Sequence, residues 1–165
     1  MSILLAFLGI LFLILLAFHY YKGKPDKNNP FDGKTELPYT RRAPLTPTEL
    51  KVYDLLLETF PNYMIFPQVQ VSRVVESPKE NNLYWFNFIN RLSYDFVVCR
   101  LDGTPIAAIE IDDDTHALPQ RQAADNRKDL ATLAAGIAIF RWPVREIPDR
   151  QEIIKQMQLI DKQAE

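Results

Sequence analysis

The sequence is poor in the residues on which several classes of enzyme depend. It has one cysteine, Cys99, so it cannot form an internal disulfide, and it shows no Cys/His spacing of the kind that binds zinc. It also lacks a glycine-rich phosphate-binding loop and a recognisable Ser or Cys nucleophile motif. These absences set aside zinc, P-loop and covalent Ser/Cys chemistry. Because Cys99 lies in an apolar stretch, it fits a protein of a reducing compartment.

The first 21 residues carry no charged side chain. Ile3–Phe18 is an unbroken apolar run, and two tyrosines extend it to nearly the ~20 residues that cross a bilayer. Lys22 and Lys24 follow on the C-terminal side, which favours a cytoplasmic location for the rest of the chain. A cleaved signal peptide would need a basic start and a small-residue cleavage site, and neither is present. We therefore predict a transmembrane helix at 1–21, a single pass through the inner (cytoplasmic) membrane, with the membrane as a partner and the C-terminal domain in the cytoplasm.

Charge divides the rest of the chain into two parts. Residues 22–44 contain six Lys or Arg and three Asp or Glu, a net charge of +3, and are rich in Pro, Gly and Asn. This composition predicts a flexible basic linker. Since the whole chain has a formal net charge of −2, the domain predicted at 45–165 is left with −5. An acidic domain is poorly suited to long duplex DNA, whose binding depends on neutralising phosphates.

The domain at 45–165 shows the pattern of an α/β fold. Thr46-Pro47-Thr48-Glu49 is a capping box with proline at the first helical position, and it predicts a helix that ends near Phe60. The order of the predicted elements is helix, strand, short helix, strand, strand, helix, strand, helix, so helices can flank a mixed sheet on both faces. After the first helix the predicted elements are Met64–Val71, Leu83–Leu92, Tyr94–Arg100, Ile106–Ile111, Pro119–Ala135, Ile137–Trp142 and Pro148–Gln163.

Carboxylates stand at the ends of the two most apolar strands. Asp95 opens the strand at 94–100, and Glu110 and Asp112 close the strand at 106–111, one residue apart. At a period of two, Glu110 and Asp112 point to the same side of their strand, and a hairpin brings Asp95 alongside them. Converging carboxylates repel each other unless a cation lies between them, and oxygen ligands suit Mg²⁺ or Mn²⁺. The pattern therefore predicts a metal site made by these three residues.

The same residues carry a family resemblance. Asp95 in Tyr-Asp-Phe-Val, then Glu110-Ile111-Asp112-Asp-x-x-His116, and a later Phe-Arg-Trp-Pro-Val resemble the restriction-endonuclease-like PD-(D/E)xK superfamily, in the branch of the very-short-patch-repair endonucleases. The sequence is similar in particular to an uncharacterised bacterial domain of unknown function (family 2726), which shares these motifs and Leu-Thr-Pro-x-Glu. The likeness covers about Leu45 to Val144. It implies a restriction-endonuclease-like mixed sheet flanked by helices.

The resemblance implies roles for the matching positions. Asp95 and Glu110 would bind the metal, and His116 would assist proton transfer during metal-assisted hydrolysis of a phosphodiester. Asp112 stands where the superfamily pattern has a lysine that stabilises developing negative charge. Asp112 is then a third metal ligand, with His116 or Arg127 supplying the missing positive charge or proton handling. Arg141, at the end of a strand beside the site, is a further candidate for substrate binding, with Arg127.

Three functions stay open at this stage, of which the third is hydrolysis of a phosphate-containing small molecule or lipid headgroup by the same site. The first is a membrane-anchored, cytoplasm-facing nuclease that uses Mg²⁺ or Mn²⁺ to cleave DNA or RNA. The second is a catalytically degenerate nuclease fold that serves as a binding or scaffold module at the membrane, which the missing lysine and the acidic domain favour. The sequence identifies no protein partner. Two further alternatives concern Glu49, as a helix cap or a metal contact, and the aromatic residues of 83–92, as core packing or a surface for stacking bases.

Overall fold

A computed structural model describes residues 2–22, 29–31, 36–112 and 119–161 of the chain. The predicted proton-transfer residue His116 lies outside the described residues, as do 23–28 and 32–35 of the predicted linker. The chain forms two units, Met1–Arg42 and Ala43–Glu165.

In the first unit, helix α1 spans Ser2–Lys22. The described part of the chain contains no helix that is both long enough and apolar enough to cross a membrane. The transmembrane helix predicted at 1–21 is therefore not supported. The location at the inner membrane stays a prediction.

The second unit alternates helices and strands in the predicted order. Its first helix begins at the predicted capping box, with Thr46 as the N-cap and Pro47 as the first helical residue. The elements are α2 (Pro47–Thr59), β1 (Met64–Gln70), α3 (Asn82–Ile89), β2 (Ser93–Cys99), β3 (Pro105–Asp112), α4 (Pro119–Ala134), β4 (Ala138–Pro143) and α5 (Arg150–Asp161). Short 3₁₀ turns follow β1 and β4, at Val71–Arg73 and Val144–Glu146.

The four strands form one mixed sheet in the order β1-β2-β3-β4. Strands β1, β2 and β3 are antiparallel neighbours, and β4 runs parallel to β3 after the α4 connection. The β2–β3 hairpin turns at Gly103, which has a left-handed φ of 89° and donates its N–H to the carbonyl of Arg100 at 2.9 Å. These features confirm the predicted α/β fold with a mixed sheet flanked by helices.

Each face of the sheet is covered by its own pair of helices. On one face, Leu56 of α2 and Ile153 of α5 pack against Phe96 and Ile109. On the other face, Ile89 of α3 joins Tyr94, Val97 and Ala108, and α4 packs on the same side through Ala131. Because β2 and β3 are covered on both faces, their strand interiors are fully apolar. Charged groups are confined to the strand ends, which is where the candidate site lies.

Three aromatic residues of helix α3 lie at the surface and not in the core, which was one of the two alternatives that the sequence left open. Trp85 is 50% exposed, and Phe86 and Phe88 are each 37% exposed. Ile89 is the residue of this helix that is buried. Helix α3 has eight residues, which is about two turns, and it packs against the sheet on one side. Side chains at successive positions point in different directions around the helix, so they cannot all reach the core.

Candidate functional site

The hairpin brings Asp95 and Glu110 to neighbouring strand ends, as the sequence predicted. Asp95 precedes Phe96, and Glu110 follows Ile109, and Phe96 and Ile109 are directly paired. The backbone N–H of Ile111 donates to Asp95 Oδ2 at 2.7 Å. The carboxylate of β2 is therefore fixed against the backbone of β3, next to Glu110.

Glu110 forms a buried ion pair that the sequence analysis did not predict. Lys128 Nζ lies 2.7 Å from Glu110 Oε2, and each side chain is 9% exposed. The same ammonium donates to the carbonyl of Ser93 at 3.1 Å and lies 4.0 Å from Asp125 Oδ1. Lys128 thus places a positive charge from α4 at the edge of the sheet where the acidic residues meet.

The second oxygen of Glu110 is the unusual atom of the site. Glu110 Oε1 is buried and has no hydrogen-bond partner within the described residues. Burial raises the pKa of Glu110 to about 7, although Lys128 opposes the shift, and the nearby charge of Asp95 raises it further. The pKa of Asp95 is also raised, mainly by burial, against the lowering effect of the Ile111 N–H. Two adjacent carboxyl groups are therefore held where their ionised forms are disfavoured.

Asp112 lies on the same side of β3 as Glu110, as period two requires, but it is engaged elsewhere. Its Oδ1 lies 3.3 Å from the guanidinium of Arg141, which stands opposite Glu110 in the β3–β4 register. Arg141 also donates to Asp129 Oδ1 at 2.7 Å and lies 3.9 Å from Asp125. Burial would lower the pKa of Arg141, but the hydrogen bond that Arg141 donates to Asp129 and the negative charges of its acidic neighbours outweigh burial, so the pKa is raised.

The structure does not bring all of the predicted site residues together. Asp95 and Glu110 are adjacent. Asp112 instead pairs with Arg141, whose guanidinium is therefore already hydrogen-bonded to acidic side chains. Arg127 is exposed on the side of α4 that faces α3, where it lines an apolar groove of about 500 Å³ together with Tyr84 and Trp85. His116 lies outside the described residues.

Glu49 approaches the site while it caps α2. Its Oε2 accepts from the Thr46 N–H at 2.5 Å, and its own N–H donates to Thr46 Oγ1 at 3.2 Å, which confirms the capping box. Its other oxygen, Oε1, accepts from Gln68 Nε2 at 3.0 Å, and the same Nε2 lies 3.5 Å from Asp95 Oδ1. The cap and the contact to the site are therefore both present in one side chain.

Lys128 and Gln68 are the site residues that the sequence analysis missed. Lys128 had a signal: it stands four residues after Ala124 and three before Ala131, so it shares one face of a helix with two small apolar residues. A lysine on a buried stripe needs an acidic partner. Gln68 had none, because a glutamine in an edge strand is an ordinary surface residue.

The carboxylates at the strand ends fit a divalent cation in part. Among the described residues no group of three or more His, Cys, Asp or Glu side chains is arranged to hold a metal ion. Asp95 and Glu110 nevertheless offer adjacent carboxylate oxygens, and Oε1 of Glu110 is a buried acceptor to which no described residue donates. An oxygen-preferring cation such as Mg²⁺ or Mn²⁺ fits this pair. Asp112 fits less well because Arg141 already neutralises it.

Comparison with known proteins gives one match. The model of a family described as "Protein of unknown function (DUF2726)" matches residues 41–160. The matched range contains Asp95, Glu110 and Lys128. No curated protein and no solved structure matches the chain.

Proposed function

The chain belongs to the DUF2726 family of proteins of unknown function, and we propose that its folded unit is a metal-dependent nuclease that hydrolyses phosphodiesters of DNA or RNA. The observation that carries the proposal is the buried carboxylate of Glu110, beside Asp95. One of its oxygens is paired with Lys128, and the other has no partner in the part of the chain that the structure describes. A structural ion pair would gain from satisfying both oxygens. A site that binds a cation gains from leaving one oxygen unpaired.

The proposal assigns roles to the residues at the strand ends. Asp95 and Glu110 would hold Mg²⁺ or Mn²⁺. When bound, the cation polarises a phosphoryl oxygen and lowers the pKa of a coordinated water. Lys128 supplies the positive charge that stabilises the negative charge developing on the phosphate. This assignment extends the resemblance to the PD-(D/E)xK superfamily, since it gives the site a lysine although Asp112 occupies the usual lysine position.

His116 completes the set as a sequence-based prediction. The resemblance gives it proton transfer near the scissile phosphate. The substitution His116→Ala should lower the rate of cleavage and leave metal affinity unchanged.

A second candidate is a nuclease-like binding module without catalysis. The pairing of Asp112 with Arg141 favours it, because this pair neutralises both groups at the position where the resemblance requires a free positive charge. The net charge of −5 from residue 45 onward also disfavours tight binding of a long duplex. Such a module would bind the metal or its partner but would not cleave.

The test is calorimetric titration of the full chain with Mg²⁺ and with Mn²⁺. The variants are Asp95→Asn and Glu110→Gln, with Asp102→Asn as the matched control, because Asp102 is a carboxylate in the turn at the opposite end of the hairpin. We expect both site variants to lose metal binding and the control to retain it. Cleavage of labelled DNA and RNA by the same proteins then separates the two candidates. Absence of metal binding at millimolar concentration by the wild-type protein would overturn the nuclease proposal.

A further inference from the structure

Gln68 has a backbone conformation that its residue type disfavours. Its φ is 52°, in the left-handed region, although it lies inside strand β1. For a residue with a Cβ this conformation is uncommon and costs free energy, so it persists where the surrounding structure imposes it. The side chain of Gln68 is exposed, so burial of apolar surface does not explain why a glutamine stands here.

The position of Gln68 in the sheet links this conformation to the site. Strands β1 and β2 pair at Pro67–Phe96 and at Val69–Tyr94, so Gln68 falls opposite Asp95 in the register. Between these two pairs the ladder has no regular pair. The distorted residue of β1 therefore stands across from the carboxylate that opens β2.

The carboxamide of Gln68 lies between two carboxylates. Its Nε2 donates to Glu49 Oε1 at 3.0 Å and lies 3.5 Å from Asp95 Oδ1. The other oxygen of Asp95 accepts from the Ile111 N–H. An amide N–H₂ has two hydrogens and no charge, so it can hold two acids near each other without neutralising either.

We infer that Gln68 is a positioning residue of the proposed metal site, whose strained backbone places its carboxamide so that the Asp95 carboxylate is held between Gln68 and Ile111, facing Glu110. The inference rests on the proposed function, since it concerns the same cation. Gln68 acts through Asp95 and not on the substrate. Supporting residues of this kind typically change metal affinity by about 10- to 100-fold when they are removed.

The test uses the substitution Gln68→Gly in the full chain. Glycine adopts a left-handed conformation without strain, so this variant removes the carboxamide while keeping the backbone. We expect its melting temperature in EDTA to be equal to or above that of the wild type, and its affinity for Mn²⁺ to be weaker by about 10- to 100-fold. A structural role for the side chain would instead lower the melting temperature.

Asn81→Gly is the matched control, because Asn81 is the other described non-glycine residue with a left-handed φ, at 55°, and it precedes α3. We expect this variant to bind Mn²⁺ as the wild type does. Unchanged Mn²⁺ affinity in Gln68→Gly, or a fall in both its melting temperature and its affinity, would overturn the positioning role. The proposed function survives both outcomes. If the wild-type protein itself binds no Mn²⁺, both proposals fail.

Discussion

Lys128 reaches from the inner stripe of α4 to Glu110 at the end of β3, with its Nζ 2.7 Å from the carboxylate and both side chains nearly buried. A buried ion pair is weak evidence for stability, because the cost of removing two charges from water offsets their attraction. Its presence at a strand end, next to Asp95, supports the proposed metal site. The pair also makes the fold sensitive to loss of one partner.

Replacement of Lys128 should destabilise the protein strongly. Lys128→Met leaves Glu110 buried without its counter-ion, and breaking such a pair costs about 3–5 kcal/mol. Chemical unfolding at pH 8 measures this loss. Lys155→Met is the control, since Lys155 is 73% exposed and its ion pair with Glu152 should contribute less than about 1 kcal/mol. A double variant with Glu110→Gln should recover part of the loss. If Lys128→Met lowers the free energy of unfolding no more than the control does, the buried pair does not exist in solution.

The raised pKa of Glu110 predicts how stability depends on pH in the absence of metal. The folded protein holds this proton up to about pH 7, whereas the unfolded chain releases it near 4.5. The folded state therefore binds more protons between these values, and the free energy of unfolding should fall as pH rises from about 4.5 to 7. The fall attributable to Glu110 is on the order of 3 kcal/mol.

Urea unfolding in EDTA between pH 4.5 and 8 measures this dependence. Subtracting the curve of Glu110→Gln isolates the contribution of this carboxyl, because the other titrating groups are common to both proteins. A difference curve that is flat, or that rises with pH, would contradict the raised pKa.

Much of the fold could be predicted because local signals agreed with it. The capping box at Thr46 and Glu49 fixed the start of α2, and the Asp-Gly turn at Gly103 fixed the β2–β3 hairpin. The two-residue period of a β-strand correctly predicted that Glu110 and Asp112 lie on the same side of β3. Glu110 pairs with Lys128 of α4, and Asp112 pairs with Arg141 of β4. Each of these features depends on residues close together in the sequence.

The partners of the acids could not be predicted, because they come from tertiary packing. Lys128 is 18 residues beyond Glu110, and which lysine or arginine meets which acid depends on how α4 lies on the sheet. The location of the aromatic residues of α3 could not be predicted for a different reason. Their hydrophobicity indicated burial, but exposed apolar side chains are common, and hydrophobicity does not identify which side of a short helix faces the core.

The two roles of Glu49 can be separated by a pair of variants. Thr46→Ala removes the N-cap and should cost about 1 kcal/mol in the free energy of unfolding, with Mn²⁺ affinity unchanged. Glu49→Gln keeps a capping-box residue but removes the negative charge that raises the pKa of Asp95. We expect it to alter Mn²⁺ affinity with little loss of stability. If both variants change stability alone, Glu49 is only a helix cap.

The two tryptophans should respond oppositely to a quencher in solution. Trp142 is 3% exposed and Trp85 is 50% exposed. Fluorescence of the Trp142→Phe variant, which reports Trp85, should therefore be strongly quenched by acrylamide. Fluorescence of Trp85→Phe, which reports Trp142, should be quenched weakly until the protein unfolds. Equal quenching of the two variants would show that α3 packs differently from the arrangement described above.

Asp112 provides the sharpest test of which acids bind the cation. In the structure its carboxylate lies 3.3 Å from Arg141, so it is neutralised without a metal, whereas Glu110 keeps one oxygen with no partner among residues 36–112 and 119–161. Asp112→Asn should therefore bind Mn²⁺ within about twofold of the wild type. Its loss of stability should be at most about 1 kcal/mol, because the pair is partly exposed and Asp129 still holds Arg141. Asp95→Asn, measured by the same calorimetry, should lose binding. If Asp112→Asn loses it as well, Asp112 must leave Arg141 when the cation binds, and the three-carboxylate site predicted from the sequence is correct.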